Sequence, residues 1–194
     1  MSKELLRVLA ALVCVLATCA DVTPVKDFSL EKIAGKWYMV GFATNAQWFT
    51  EHKTEMKTGT CVFVPTVEGN LDLSYARLRD DGTCWRLTQL ANKTDTPGHF
   101  TYQSQVWNND NDMRIVDVLY DDYALVYTIQ TKAEVTNVVN ELLSRTQETS
   151  VVLQQKFTQW SLDNGILADN IVILPKNNEC PEEPAATPQP TDAP

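Results

Sequence analysis

The stretch DMRIVDVLYDDYALVYTIQ, residues 112–130, holds two apolar runs on either side of a short polar turn. Residues 112–119 and 122–130 are rich in Val, Ile, Leu and Tyr, which favour extended chain, and YDD at 120–122 supplies turn residues between them. This pattern predicts two antiparallel strands joined by a tight connection. The same pattern recurs on both sides of this pair.

Further strands are predicted at 35–45, 56–65, 70–79, 84–91, 98–107 and 137–145. Turn signals separate them: EGN at 68–70, RDDG at 79–82, TDTPG at 94–98 and NNDND at 108–112. Eight closely spaced strands favour an all-β fold, an eight-stranded up-and-down antiparallel barrel. Such a barrel closes on itself and leaves an interior wide enough for one small ligand.

One amphipathic helix is predicted after the eighth strand. Ser150 or Thr149 can cap its start, and the Asn-Gly pair at 164–165 ends it. Its apolar face carries residues spaced by four and three: Leu153, Phe157 and Trp160. We expect this C-terminal α-helix to pack outside the barrel, followed by a short strand in IVILP at 171–175.

The meander topology predicts how one end of the barrel is closed, because the first strand starts where the eighth ends. Trp37 opens the first strand and Arg145 closes the eighth, so we expect a guanidinium stacked over an indole there. The turn at 120–122 belongs to the same closed end. The segment 43–55 then borders the open mouth.

The first twenty residues predict export. Lys3 and Arg7 precede or flank an apolar run at 5–17 that ends in small residues, which is typical of a cleavable signal peptide at 1–20. No other run approaches the roughly 20 apolar residues of a membrane helix, so we expect no integral membrane segment. Residues 21–180 form one domain, and the Pro-rich acidic tail at 181–194 is predicted to be disordered. The expected location is therefore extracellular.

Charge and motif content exclude several functions. The formal net charge is −9, without a Lys/Arg cluster, which argues against nucleic-acid binding. No metal-ligand spacing, phosphate loop or nucleophile elbow occurs, so we expect no metal and no cofactor. Asn92-Lys93-Thr94 is a glycosylation acceptor on a predicted turn. We expect a monomer.

Export would remove Cys14 and Cys19 and leave three cysteines, Cys61, Cys84 and Cys180. An odd number predicts one disulfide and one remaining thiol. For Cys61 three interpretations stay open: a buried packing residue with a raised pKa, a reactive thiol, or a half-cystine. Neither His52 nor His99 is an obvious base for it, since both fall in turn or edge contexts that we expect to be solvated.

Three short regions resemble the signatures of the lipocalins: GKWY at 35–38, LYDDYALVY at 119–127 and LLSRTQ at 142–147. The second departs from the usual Thr-Asp-Tyr, with Val-Leu-Tyr at 118–120. The resemblance implies a lipocalin barrel with structural roles for Gly35, Trp37 and Arg145. It also implies a disulfide between Cys84 and Cys180, which fall where the disulfide of the family sits.

Within the lipocalins, the chain is similar to the prostaglandin D synthase branch, which isomerises prostaglandin H2 with a pocket cysteine and glutathione. Trp48, KFTQW at 156–160 and IVILP carry this likeness. A gapless alignment from Trp48 to Pro65 places the catalytic cysteine position on Gly59. The positions of the assisting hydroxyls fall on Met39, Cys61 and Tyr75.

The resemblance also indicates which strand faces point inward. It places Cys61 and Phe63 of the strand at 56–65 inside the barrel. It also places Leu73, Tyr75 and Arg77 of the strand at 70–79 inside, with Arg77 near the mouth. Arg77 is then either a partner for an acidic ligand head or a solvated rim residue. Trp48 either covers the mouth or packs under its loop. The predicted ligand contacts are Met39, Trp48, Cys61, Phe63, Leu73, Tyr75, Arg77, Leu125 and Tyr127.

These features favour a secreted lipocalin that carries a small hydrophobic ligand, such as a retinoid or fatty acid, without a catalytic residue. The alternative is a prostaglandin D synthase in which Cys61 is a substitute nucleophile and glutathione is required. A third possibility is a protein-interaction role, with Cys61 or the tail holding a partner.

Overall fold

The computed structural model describes residues 22–182. The predicted signal peptide at 1–20 and all but the first two residues of the predicted tail lie outside the described residues. Both therefore stay predictions.

The described residues form one nine-stranded antiparallel sheet with three α-helices. The strands are β1 Gly35–Thr44, β2 Gly59–Pro65, β3 Leu71–Leu78, β4 Cys84–Lys93, β5 His99–Ser104, β6 Asn109–Leu119, β7 Tyr123–Lys132, β8 Val135–Ser144 and β9 Ile171–Ile173. The helices are α1 Leu30–Ile33, α2 Gln47–His52 and α3 Val151–Asp163, with 3-10 turns at Lys53–Glu55 and Ala168–Asn170.

The sheet closes into a barrel. Strands β2 to β8 pair in chain order, β8 pairs with β1, and β1 pairs with β2. Each strand is antiparallel to its neighbours, and β9 adds to β1 outside the eight-strand cycle. The predicted eight-stranded up-and-down barrel is confirmed. Each of the eight strands has a partner on both sides, although β4 and β5 pair only through Asn92–Thr101 and Lys93–Phe100.

All eight barrel strands differ from the prediction by one to three residues at one end or both, and β5 ends at Ser104 instead of residue 107. Strand β2 begins at Gly59, because residues 47–55 form α2 and a 3-10 turn. Strand β4 extends to Lys93. The predicted turn at 108–112 is wrong: β6 already begins at Asn109, and the chain turns just before it, where Asn108 has φ of +48°. Pairing with β5 and β7 outweighs the turn preference of Asn and Asp here.

Helix α3 forms where the sequence predicts it. The Ser150 side chain accepts a hydrogen bond from the Leu153 N–H, and the helix ends just before Asn164. Leu153 and Phe157 are buried against residues of β1, β7 and β8 on the outer surface of the barrel. The helix therefore covers the outside of the barrel, as expected.

Arg145 and Trp37 meet at one end of the barrel. The guanidinium carbon lies 3.5 Å from the centroid of the Trp37 ring. Arg145 also donates to the carbonyl oxygens of Tyr120 (2.9 Å), Lys36 (2.8 Å) and Ala34 (3.0 Å). The predicted closure of this end is confirmed, including the participation of the β6–β7 turn.

Gly35 has a structural reason to be glycine at this closed end. Its φ is +96°, and a Cβ there would lie 3.5 Å from Arg145 Nη1. Residues with a side chain rarely adopt this backbone conformation. Gly35 thus turns the chain from α1 into β1 beside the guanidinium.

The chain after α3 crosses the outside of β1 to β4. The Leu174 N–H donates to the Val40 carbonyl oxygen (2.8 Å), and Glu179 contacts Lys36 and Tyr38. The Cys84–Cys180 disulfide, which the family resemblance implied, joins residues 96 positions apart. It fastens the C-terminal segment to the barrel wall.

Candidate ligand-binding site

The inner wall on β2 and β3 has the orientation that the sequence predicted. Cys61, Phe63 and Leu73 are buried in the interior cluster, and Tyr75 packs against it. Met39 is partly buried and also packs against this cluster. Alternation along each strand places these residues on the inner face. Their role as ligand contacts stays a prediction.

The predicted orientation of Leu125 and Tyr127 is wrong. Leu125 packs in the outer cluster with Leu142 and Phe157, whereas Ala124 and Val126 occupy the interior cluster. Tyr127 follows Leu125 on the outer face by alternation. The physical reason is that the apolar face of α3 packs on the outer surface of β7, and large apolar side chains there bury that face.

The pairing with β8 indicates which side of the sheet Tyr127 faces. Tyr127 lies opposite Asn140 in the register, and the Asn140 side chain donates to Ser161 Oγ of α3 at 3.3 Å. Tyr127 therefore faces the same side of the sheet as Asn140, which is the side that α3 covers.

The interior is filled at the closed end and accessible towards the mouth. Fully buried side chains occupy the closed part: Trp37, Cys61, Phe63, Leu71, Leu73 and Met113. Other inward residues keep partial solvent access: Tyr75, Arg77, Trp85, Leu87, Gln89, Tyr102 and Glu141.

Aromatic side chains surround the entrance. The Trp85 and Trp107 rings stack at 6.1 Å, and the Trp107 side chain is 46% exposed on the β5–β6 turn. Trp48 lies on α2, 5.7 Å from Phe49 and 6.2 Å from Phe42 between ring centroids, and remains 48% exposed. Helix α2, which the sequence did not predict, therefore presents Trp48 at the rim.

Arg77 is partly buried beside the entrance. Burial lowers the pKa of its guanidinium, Arg79 lowers it further, and Glu55 raises it. Among residues 22–182 no carboxylate lies within ion-pair distance of Arg77. The guanidinium is therefore available to a ligand anion at the rim.

Cys61 is a free, buried thiol. Burial raises the pKa of the thiol well above its ordinary value, and the nearby Glu141 carboxylate raises it further. The Tyr75 hydroxyl lowers this pKa by a smaller amount. Since no cation contributes, the sulfur is held as a neutral thiol, which is a poor nucleophile.

The two histidines do not serve Cys61. His99 lies on the outer face of β5, where its Nε2 is 3.0 Å from Asp112 Oδ2, so the expectation that it is solvated is wrong. His52 ends α2, with Nδ1 2.8 Å from the Trp48 carbonyl oxygen.

Glu141 is the interior residue that the sequence reasoning missed. It lies on β8 opposite Val126 and Phe42, and burial raises the pKa of its carboxyl to about 7. Its charge also raises the pKa of Cys61, Tyr75 and Tyr102, so these four groups share one region of the interior. Alternation back from Leu143, which is inside, would have identified it.

Gly59, where the sequence resemblance predicted the catalytic cysteine position, is the first residue of β2. A Cβ at this position would lie 2.8 Å from the Ala76 carbonyl oxygen and 3.3 Å from Arg77 Cβ. The backbones of β2 and β3 therefore approach too closely here for an added side chain without a shift.

No helix within residues 22–182 has the length and apolar character that crossing a membrane requires. In the same range, no group of three or more His, Cys, Asp or Glu side chains could hold a metal ion. Asn92 lies on β4 and not on a turn, and its side chain is exposed.

A closed barrel with one filled end, one open end and an external helix defines a ligand-binding protein of the lipocalin class. The sequence pattern of the lipocalin / cytosolic fatty-acid binding protein family matches residues 34–178, and the chain belongs to this family.

Relatives support the same assignment. A lipocalin of Rhinella marina is 38% identical over 175 residues, which cover 89% of this chain and 95% of the relative. The prostaglandin-H2 D-isomerase of Felis catus is 35% identical over 165 residues, covering 84% and 86%. The structure of the siderocalin Ex-FABP, described as functioning through dual ligand specificities, is similar at a TM-score of 0.67 and 25% identity, covering 77% of this chain and 99% of that one.

Proposed function

We propose that this chain is a secreted carrier that binds a small hydrophobic molecule reversibly in the open half of the barrel. The observation that carries this proposal is the set of inward side chains that retain solvent access near the mouth, above a fully packed closed end. Apolar surface transferred from water contributes about 25 cal/mol per Å², so reversible binding needs no reactive group. Part of this gain offsets the ordering of ligand and side chains.

Arg77 favours ligands that carry an acidic head group. A guanidinium at the rim pairs well with a carboxylate, while the partly exposed Tyr75 and Leu87 below it would contact an apolar tail. An acidic ligand would then enter tail first and leave its head at Arg77. The rival interpretation is a rim arginine that only contacts water.

The carrier function is tested by titrating the purified protein with dodecanoic acid and with dodecanol while recording tryptophan fluorescence, since Trp85 and Trp107 stand at the entrance. We expect both to bind, and Arg77→Ala to weaken the acid about tenfold while leaving the alcohol unchanged. Arg79→Ala, at an exposed position two residues further on, is the matched control. Equal losses for acid and alcohol would exclude the head-group role of Arg77. If neither compound nor a retinoid binds, the carrier proposal fails.

A second candidate is a prostaglandin D synthase, which the relatives named prostaglandin-H2 D-isomerase favour. Against it stand Gly59 at the catalytic position and the neutral thiol of Cys61. Incubation with prostaglandin H2 and glutathione, wild type beside Cys61→Ala, distinguishes the two. Turnover that depends on Cys61 would replace the carrier by the enzyme.

Export and glycosylation are part of the proposal. The Cys84–Cys180 disulfide supports an oxidising compartment. Expression of the full sequence in a secretory cell line should give protein in the medium that starts at Asp21. Treatment with an N-glycosidase should shift its mass, whereas Asn92→Gln should show no shift.

A further inference from the structure

The Glu141 carboxyl is an acidic group inside the barrel without a cationic partner. Among the described residues it takes part in no ion pair. The titratable groups that face it come from three other strands: Cys61 on β2, Tyr75 on β3 and Tyr102 on β5. Its partners in the sheet register, Phe42 and Val126, are apolar.

The surroundings of Glu141 differ from those of Arg77 at the rim. Arg77 interacts with Arg79 and Glu55, whereas Glu141 shares its surroundings with the fully buried Cys61. Burial alone accounts for the raised pKa of Glu141, with no contribution from Arg77. The barrel thus holds two separate polar positions, a cationic one at the entrance and an acidic one inside.

An ionised carboxylate in an apolar interior is unfavourable unless a cation or hydrogen-bond donors compensate its charge. Within residues 22–182 no cationic side chain pairs with this carboxyl. A ligand that brought one would remove the penalty and gain a charge-assisted hydrogen bond in surroundings of low dielectric constant. The phenol oxygens of Tyr75 and Tyr102 could accept further N–H groups from the same ligand.

We propose that the interior contains a binding position for a protonated amine on an apolar body, with the ammonium paired to the Glu141 carboxylate. The inference rests on the proposed carrier function and adds a ligand class to it. An apolar body of this ligand would contact the partly exposed side chains of Leu87 and Tyr75.

The charge states near Glu141 determine how binding depends on pH. Because the pKa of the carboxyl is about 7, it is largely ionised at pH 8 and largely protonated at pH 6. Cys61, Tyr75 and Tyr102 all have raised pKa values and stay neutral over this interval. A primary alkylamine, with a pKa of about 10, stays protonated throughout. The affinity for the amine should therefore fall as the pH decreases from 8 to 6.

The test compares 1-octylamine, 1-octanol and octanoate by calorimetric titration at pH 8 and pH 6. We expect octylamine to bind at least tenfold more tightly than octanol to the wild type at pH 8, and this preference to shrink about tenfold at pH 6. Glu141→Gln should abolish the preference and leave octanol unchanged. Glu134→Gln, at an exposed position in the β7–β8 turn, should behave like the wild type.

The outcomes separate the inference from the function on which it rests. Equal binding of octylamine and octanol to the wild type, or a preference that survives in Glu141→Gln, would overturn the amine position while the carrier function stands. Absence of binding by all three compounds would overturn both. The comparison within the wild type at two pH values requires no variant, so a folding defect of Glu141→Gln cannot obscure the result.

Discussion

The guanidinium of Arg145 stacks on the indole of Trp37 at 3.5 Å and at the same time donates to backbone carbonyls of α1, β1 and the β6–β7 turn. The indole N–H of Trp37 in turn donates to the Ile33 carbonyl oxygen at 2.8 Å. The Arg145 and Trp37 side chains thus connect α1, the start of β1, the end of β8 and the β6–β7 turn. This closure leaves the opposite end as the only route into the barrel among the described residues.

We predict that Arg145→Lys lowers the free energy of unfolding by about 2 to 3 kcal/mol. A lysine keeps the charge but cannot form the planar stack or satisfy several carbonyl oxygens together. Urea denaturation followed by tryptophan fluorescence measures the loss. Arg79→Lys, at an exposed turn position, should change stability by less than about 0.5 kcal/mol. Equal effects of the two substitutions would contradict the role of Arg145.

Glu141 should make stability depend on pH. Burial raises the pKa of its carboxyl from 4.5 to about 7, so the folded protein binds this proton more tightly than the unfolded chain does. The contribution of Glu141 to the free energy of unfolding therefore falls as the pH rises from about 4.5 to about 7, and stays low above that interval. The whole effect is on the order of 3 kcal/mol.

Glu141→Gln removes this titration. We expect the variant to gain stability relative to the wild type at pH 8 and to gain little at pH 4.5. Denaturation curves at several pH values measure the difference, with Glu134→Gln as the exposed control. A gain that is independent of pH would mean that the carboxyl does not titrate as described.

The Cys61 thiol should be unreactive in the folded protein. Its burial and raised pKa leave almost no thiolate near neutral pH. A disulfide reagent such as dithionitrobenzoate should label it only after unfolding. The matched control is Cys61→Ala combined with Val64→Cys, because Val64 is 50% exposed on the outer face of the same strand. Rapid labelling of the wild type would revive the reactive-thiol interpretation.

Gly59 should not tolerate a side chain freely. In Gly59→Ala the Cβ would lie 2.8 Å from the Ala76 carbonyl oxygen, and the required shift should cost about 1 to 3 kcal/mol of stability. Thermal unfolding measures this, with Thr60→Ala as the neighbouring control. A glycine-to-alanine change without a clash normally stabilises by about 0.4 to 1 kcal/mol, so a stabilised variant would refute the clash. A cysteine at this position would face the same obstacle.

Loss of the disulfide should be costly. It joins residues 96 positions apart, and closing a loop of this size contributes on the order of 4 kcal/mol in the chain-entropy treatment. The double substitution Cys84→Ser and Cys180→Ser should lower the denaturation midpoint accordingly. Reduction of the wild type should have the same effect, and no change in either experiment would exclude a stabilising role.

The barrel, its closure and the external helix could be predicted from the sequence, because each depends on local patterns. Period-two alternation fixes strands, Ser150 caps α3 through its own backbone neighbours, and the order of eight strands places Trp37 beside Arg145. The sequence did not predict α2, because this helix has only six residues and no side chain caps its start.

Only the tertiary structure decided which face of β7 is inside and what surrounds Glu141. On β7 both faces are apolar, so alternation alone cannot choose between Leu125 and Val126, and the packing of α3 makes the choice. The pKa of Glu141 depends on burial among residues that lie far away in sequence. The sequence by itself determined the barrel because strand patterns are local, whereas the chemistry of the interior depends on which side chains the closed sheet brings together.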